Sequence, residues 1–124
     1  MTALEFGGPA MATATTMHVD ESGSPGAPSV VFLHGAGASG LMWREHTTRL
    51  ADRFHCLAPD LPGFGRSNRL APLTVDETAD LVAELIETRV PGRRAHVVGL
   101  SWGGAVTHRL LERRPELVDR AVID

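Results

Sequence analysis

The most constraining stretch of this 124-residue chain is Val97-Val98-Gly99-Leu100-Ser101-Trp102-Gly103-Gly104. A short apolar run ends in Gly99-x-Ser101-x-Gly103, and a segment of helical character follows at once. Such a run reads as a buried strand that turns sharply into a helix. A serine at the corner projects its hydroxyl out of the sheet edge, on a backbone expected to be strained at positive φ. The helix then folds back against its own strand. Positions two before and two after the serine must therefore be small, and glycine suits both. The bland alternative for Ser101 is a serine that simply N-caps the following helix.

The rest of the chain alternates short apolar runs with helical segments. Residues 15–21 alternate weakly, as an exposed strand would, and the Gly-, Pro- and Ser-rich residues 22–28 form a turn. Ser29-Val30-Val31-Phe32-Leu33-His34 is a continuous apolar run of the kind buried on both faces of a parallel sheet. After the glycine loop 35–40, residues 41–53 are expected to be helical, with Leu41, Met42, Glu45, Leu50 and Ala51 giving only a fair stripe. Residues 55–60 are a second buried strand, and residues 61–67 a turn-rich loop. Thr74-x-x-Glu77 is a capping box opening a helix to about Arg89. Val75, Ala79, Val82, Leu85 and Ile86 fall at helical spacing within it. Pro91-Gly92 ends that helix, residues 95–100 form the third buried strand, and residues 102–113 the next helix, stopped by Pro115. Residues 118–124 begin a further strand. This rhythm predicts right-handed βαβ units, hence the α/β class, with a mostly parallel sheet and helices on both faces.

Composition excludes several functions. The formal net charge is −3, with no basic block for nucleic acid and no acidic tail. No apolar run suits a signal peptide or a membrane span, so a cytoplasmic location and no membrane partner are expected. The six histidines lack metal-like pairing, so no metal is expected. The single cysteine, Cys56, sits in an apolar run and reads as a small buried hydrophobe. Residues 1–14 look like a flexible leader, which leaves 15–124 as the folded part.

One competing reading concerns Gly35-x-Gly37-x-x-Gly40, which follows a strand and precedes a helix. With Asp60 at the end of the next strand, it matches a dinucleotide-binding fingerprint. Against it stand His34, which such a loop does not need, and the compact turn after Asp60. The Gly99–Gly103 corner also has no part in dinucleotide binding. No cofactor is therefore expected.

Three stretches together, His34-Gly35-Ala36-Gly37, Asp60-Leu61-Pro62-Gly63-Phe64-Gly65-Arg66-Ser67 and Gly99-Leu100-Ser101-Trp102-Gly103-Gly104, resemble signatures of the α/β-hydrolase fold superfamily. They stand in the right order, and the likeness covers residues 15–124. The resemblance implies a cofactor-free serine hydrolase acting on an ester or related acyl bond of a small-molecule substrate. Ser101 would be the nucleophile, and the backbone N–H groups of Ala36 and Trp102 the oxyanion hole. Each such donor is worth about 3–4 kcal/mol in the transition state. His34 would be a structural residue tying down the oxyanion loop. Residues 60–67 would be a packing turn braced by Arg66, Trp43 would pack on the sheet and Trp102 would line the pocket.

Such an enzyme also needs an acid and a histidine after its serine. The only histidine beyond Ser101 is His108. Seven helical residues separate them by about 10.5 Å of axial rise, too far for a hydrogen bond. Among the later acids, Asp124 stands at the end of its strand, where a minority of the family carry the triad acid. The expectation is an N-terminal part of a hydrolase domain, with an open sheet edge, inactive alone and partnered by a C-terminal half or a complementing chain.

Overall fold

The last strand of one βαβ unit and the first of another lie side by side at the centre of this fold, and that placement decides where a site can form. The computed structural model describes residues 11–124. Its strands are β1 (Val19–Ser22), β2 (Ser29–Leu33), β3 (His55–Pro59), β4 (Ala95–Gly99) and β5 (Val118–Ile123). They pair in the order β1-β3-β2-β4-β5, with β1 antiparallel to β3 and every other pair parallel. The helices are α1 (Arg44–Leu50), α2 (Val75–Arg89) and α3 (Trp102–Arg113). This is the expected α/β architecture.

Every residue of β2 and β3 is buried, as their continuous apolar runs require. Val31, Leu33, Leu57 and Val97 pack under α2 and α3, in a core with Val82, Leu85, Ile86, Val106 and Leu110. Val30, Phe32, Cys56 and Ala58 face the opposite side, against Trp43, Leu50 and Phe54. Helices thus cover both faces, and Cys56 is the buried small hydrophobe expected of it. The Thr74–Glu77 capping box is fully formed, and α2 runs to Arg89 as the spacing predicts.

The segment after the glycine loop departs from expectation. Residues 41–53 do not form one helix with an apolar stripe. A 3₁₀ turn, Gly40–Trp43, leads into the short α1, which has no buried residue. Leu41 and Met42 are exposed, whereas Trp43 is buried and its ring centroid lies 5.3 Å from that of Phe32. The indole is the large group that fills the space over β2, and seating it turns its two neighbours outward. At the other end, the expected leader of residues 1–14 lies outside the described residues up to residue 10. Ala14 and Met17 are buried against the core, with a turn at Thr13–Met17.

The connection from β2 crosses one face to β3, while those from β3 and β4 cross the other face in the opposite direction. Neighbouring strands β2 and β4 therefore send their chains apart, which opens a crevice at their carboxyl ends. The register Leu33↔Gly99↔Ile123 brings the three strand ends level there. β5 is an edge of the described sheet, with Val122 and Ile123 exposed. Val122 also borders an open apolar groove over Val30, Phe32, Phe54 and Val98.

The opposite edge is stapled by a polar chain that runs from a buried core to the surface. His55 is fully buried; its Nε2–H donates to Glu21 on β1, and its Nδ1 lies 2.9 Å from the Ser29 hydroxyl on β2. Arg89, closing α2, donates to the other Glu21 oxygen at 2.6 Å. The His55 hydrogen bond, with help from Arg89 and against desolvation, holds the Glu21 carboxyl below its usual 4.5. A carboxyl depressed in the folded state stabilises the fold above its unfolded value, and that contribution is lost as pH falls through the folded value. Glu21→Gln, whose amide oxygen can still accept from His55, is accordingly expected to lower stability at pH 7 by about 0.5–1 kcal/mol, the charge assistance lost at a partly exposed position. It should also flatten the fall in stability between about pH 5 and pH 3. Urea unfolding of both proteins across that range checks both outcomes.

Candidate active site

Ser101 follows β4 and occupies the N-cap position of α3 with φ 56° and ψ −112°. The expected positive φ is present, and Ser101 is one of two non-glycine residues with positive φ among those described. The flanking glycines are required by contact. A Cβ on Gly99 would lie 2.2 Å from the Gly103 carbonyl oxygen, and one on Gly103 would lie 2.1 Å from that of Leu33. The Ser101 hydroxyl makes no capping bond to α3, and the residue is exposed. Simple capping therefore does not account for it. Its backbone N–H donates to the Asp124 carbonyl at 2.8 Å, so the end of β5 holds the corner in place.

The loop after β2 reaches the same spot. Gly35 is so close that its missing Cβ would be 3.5 Å from Ser101 Cβ and 4.0 Å from Oγ. Ala36 and Gly37 follow, exposed, in a turn closed by the Ala38 N–H on the Gly35 carbonyl at 3.1 Å. The backbone N–H groups of Ala36 and Trp102 have no acceptor among the described residues. Two free donors thus belong to segments that meet beside the serine.

His34 anchors the start of this loop and is fully buried. Its Nδ1–H donates to the Gly35 carbonyl at 2.7 Å, while Nε2 accepts from the Leu61 N–H at 2.9 Å. One donor and one acceptor are the bonding pattern of a neutral imidazole. Burial pushes its pKa below 6.5, opposed by the Gly35 bond and the Asp60 charge. Both nitrogens are occupied, which leaves none for proton transfer at Ser101. Phe64 packs on the His34 ring edge-on, at 5.6 Å between centroids.

Asp60 is also fully buried and accepts four hydrogen bonds. They come from Gly40 N–H at 2.7 Å, Arg66 N–H at 2.8 Å, Arg66 Nε at 2.8 Å and an Arg66 terminal nitrogen at 3.1 Å. Burial alone would raise its pKa, but the Arg66 guanidinium and the backbone donors outweigh it and the net shift is downward. The dinucleotide reading fails on the same contacts. Asp60 has no free oxygen to offer a ribose, the Gly40 N–H is committed to it, and a 3₁₀ turn stands where a phosphate-binding helix would begin. Arg66 further pairs with Asp20 on β1 at 2.7 and 3.0 Å. That partner was not foreseen, since a charge 46 residues upstream carries no local signal.

The other expected residues fall outside this cluster. His108 is mostly exposed, 3.4 Å from Glu112, and no described histidine hydrogen-bonds to Ser101. Asp124 meets the corner through its backbone. Among the described residues no three His, Cys, Asp or Glu side chains gather as a metal site, and no helix is long and apolar enough to cross a membrane.

A sharp strand-to-helix corner and a glycine loop meet at the switch point of a parallel sheet, and the alpha/beta hydrolase fold family model matches residues 28–124. The chain belongs to that family. Among curated relatives it is similar to lipase LipV of Mycobacterium tuberculosis, at 36% identity over 86% of this chain and 40% of the lipase. It is equally similar to a haloalkane dehalogenase of Bradyrhizobium diazoefficiens, at 36% identity over 84% of this chain and 34% of the dehalogenase. A solved N-acyl homoserine lactone degrading enzyme superposes with a TM-score of 0.79 at 29% identity, over 86% of this chain and 40% of that one. The chain thus spans about two fifths or less of the length of these relatives.

The positive φ at Ser101 has a measurable cost. A side chain there costs about 1–3 kcal/mol, against about 0.5–1 kcal/mol of extra unfolded-state entropy for glycine. Ser101→Gly is therefore expected to raise stability by about 1 kcal/mol, whereas Ser101→Ala, which keeps the Cβ, should leave it nearly unchanged. Paired denaturant titrations of the two variants test the strain directly.

Proposed function

We propose that this chain carries the nucleophile and oxyanion hole of a serine hydrolase that acts on an ester, lactone or related acyl bond of a small molecule. Ser101 is the nucleophile, and the N–H groups of Ala36 and Trp102 receive the oxyanion. The single observation that carries this reading is an exposed serine hydroxyl on a strained corner, beside two backbone donors that lack acceptors. A helix N-terminus behind Ser101 adds a favourable field for developing negative charge.

The relatives' names span lipase and haloalkane dehalogenase, and the chemistry of a hydroxyl separates them. When Ser101 Oγ adds to an acyl carbon, the alcohol leaves with a proton and an acyl-serine remains, which water can hydrolyse. If the same oxygen displaced a halide or opened an epoxide, it would form an ether, which water does not cleave. A serine at the corner therefore favours acyl substrates.

No described histidine reaches Ser101, so the general base comes from polypeptide beyond these residues, either a C-terminal part or a complementing chain. In serine hydrolases that lose a triad member, the oxyanion hole and binding still give about 10³–10⁴-fold acceleration over water. A fluorophosphonate is therefore expected to label Ser101 slowly but stoichiometrically, releasing fluoride, while steady-state ester turnover stays far below triad level. Mass spectrometry should place the adduct on Ser101 and find none in Ser101→Ala. Equal labelling of the two proteins, or no adduct on the wild type, would overturn the assignment.

A further inference from the structure

The Gly35–Ser39 loop carries one of the two proposed oxyanion donors, yet Ala36 and Gly37 themselves are exposed and touch little. An exposed glycine-rich loop does not hold an N–H in a fixed direction by itself. Its direction has to come from the two ends. His34 and Leu61 fix the start, as described. The far end is Gly40, whose N–H is held by the buried Asp60 carboxylate at 2.7 Å.

Asp60 is held in turn. Arg66 wraps it with two side-chain bonds and one backbone bond, and then reaches Asp20 on the edge strand with its terminal nitrogens. The packing is tight on both sides of the carboxylate. A Cβ on Gly40 would stand 2.9 Å from Asp60 Oδ1, and one on Gly65 would stand 2.7 Å from Oδ2 and 2.6 Å from Ser39 Cβ. The end of the oxyanion loop is thus pressed against the turn that carries Arg66. A bidentate, charge-assisted guanidinium–carboxylate pair is the strongest and most directional clamp available to side chains. Asp60 and Arg66 touch no reacting atom, and a buried ion pair is weak grounds for stability by itself.

We infer that Asp60 and Arg66 are positioning residues of the oxyanion hole: by fixing Gly40 and Ser39, they set the direction of the Ala36 N–H beside Ser101. The inference rests on the assignment of Ala36 as a donor and adds where its precision comes from. A misplacement of about 1 Å can cost ~100-fold in rate, so loosening this clamp falls on the chemistry more heavily than on the fold.

The test uses the intact chain, labelled by a fluorophosphonate well below the melting temperature. Because no described histidine serves Ser101, the labelling rate reads the oxyanion hole with little contribution from a base. Arg66→Gln is the informative variant, since Arg66 lies partly at the surface and its loss leaves the hydrophobic core intact. It should label Ser101 ~10- to 100-fold more slowly, and Arg66→Lys should recover part of the rate. In the ¹⁵N spectrum, the amides of residues 36–39 should move while those of α2 do not. Wild-type labelling by Arg66→Gln, with unmoved loop amides, would overturn the inference, even if the melting temperature fell. Ala36→Pro, which removes the donor, separates the two layers. If it labels at the wild-type rate, the donor assignment falls and the inference with it. If it is slow while Arg66→Gln is fast, only the clamp is wrong.

Discussion

Helix α3 lies so close to the ends of β2 and β4 that carbonyl oxygens occupy the space where side chains would be. The Leu33 and Gly103 oxygens stand 2.1 and 2.2 Å from the Cβ positions that Gly103 and Gly99 lack. This backbone contact fixes the rest of the arrangement. It forces the turn at Ser101 into a conformation that few residues tolerate, and it points the hydroxyl away from the helix it would otherwise cap. It also leaves the Gly35 loop resting on the serine. A single methyl group at either glycine would push α3 off the strand ends.

Much of this was readable from residue order alone. Continuous apolar runs marked β2, β3 and β4, and the Thr74–Glu77 box with its helical spacing marked α2. The corner at Ser101 announced itself through its glycines, because a close approach imposes a residue type at fixed spacing. The segment after the glycine loop departs from the expected helix because two exposed apolar residues, Leu41 and Met42, sit beside the buried Trp43. A pattern of hydrophobicity cannot say which of three adjacent apolar residues the core accepts. The Arg66–Asp20 pair is invisible for another reason: charges distant in sequence meet only through strand order, and β1 is the one strand among the described residues that runs antiparallel.

The polar groups beneath the site divide by function. His34 and Asp60 are buried with every bonding position they use taken by the fold, and both are shifted away from ordinary titration in the direction that keeps their resting form. Beside Ser101, the groups left without a partner are instead its hydroxyl and the backbone N–H groups of Ala36 and Trp102; away from it, the buried Trp43 indole N–H is also unpaired. Around the corner, the satisfied groups hold position and the unpaired ones lie where the loop and the helix meet. The Gly35-x-Gly37-x-x-Gly40 pattern shows how the same letters serve a different end. Its last glycine admits a carboxylate oxygen from the protein instead of a phosphate from a ligand.

The Asp60 clamp also has a bearing on the order in which the molecule assembles. Its partners come from residues 20, 40 and 66, so it joins the edge strand, the loop after β2 and the turn after β3. The Arg66–Asp60 bonds form within one turn, but those to Gly40 and Asp20 span 20 and 46 residues, and each of these closes a chain loop whose entropy must be met before the bond contributes. The clamp therefore becomes whole only after β1 has docked on β3 and β3 on β2. Until then the Gly35 loop has one anchored end and an undirected N–H. The geometry beside Ser101 is in this sense a late property of the fold, acquired when the edge strand closes and not when β4 and α3 first come together.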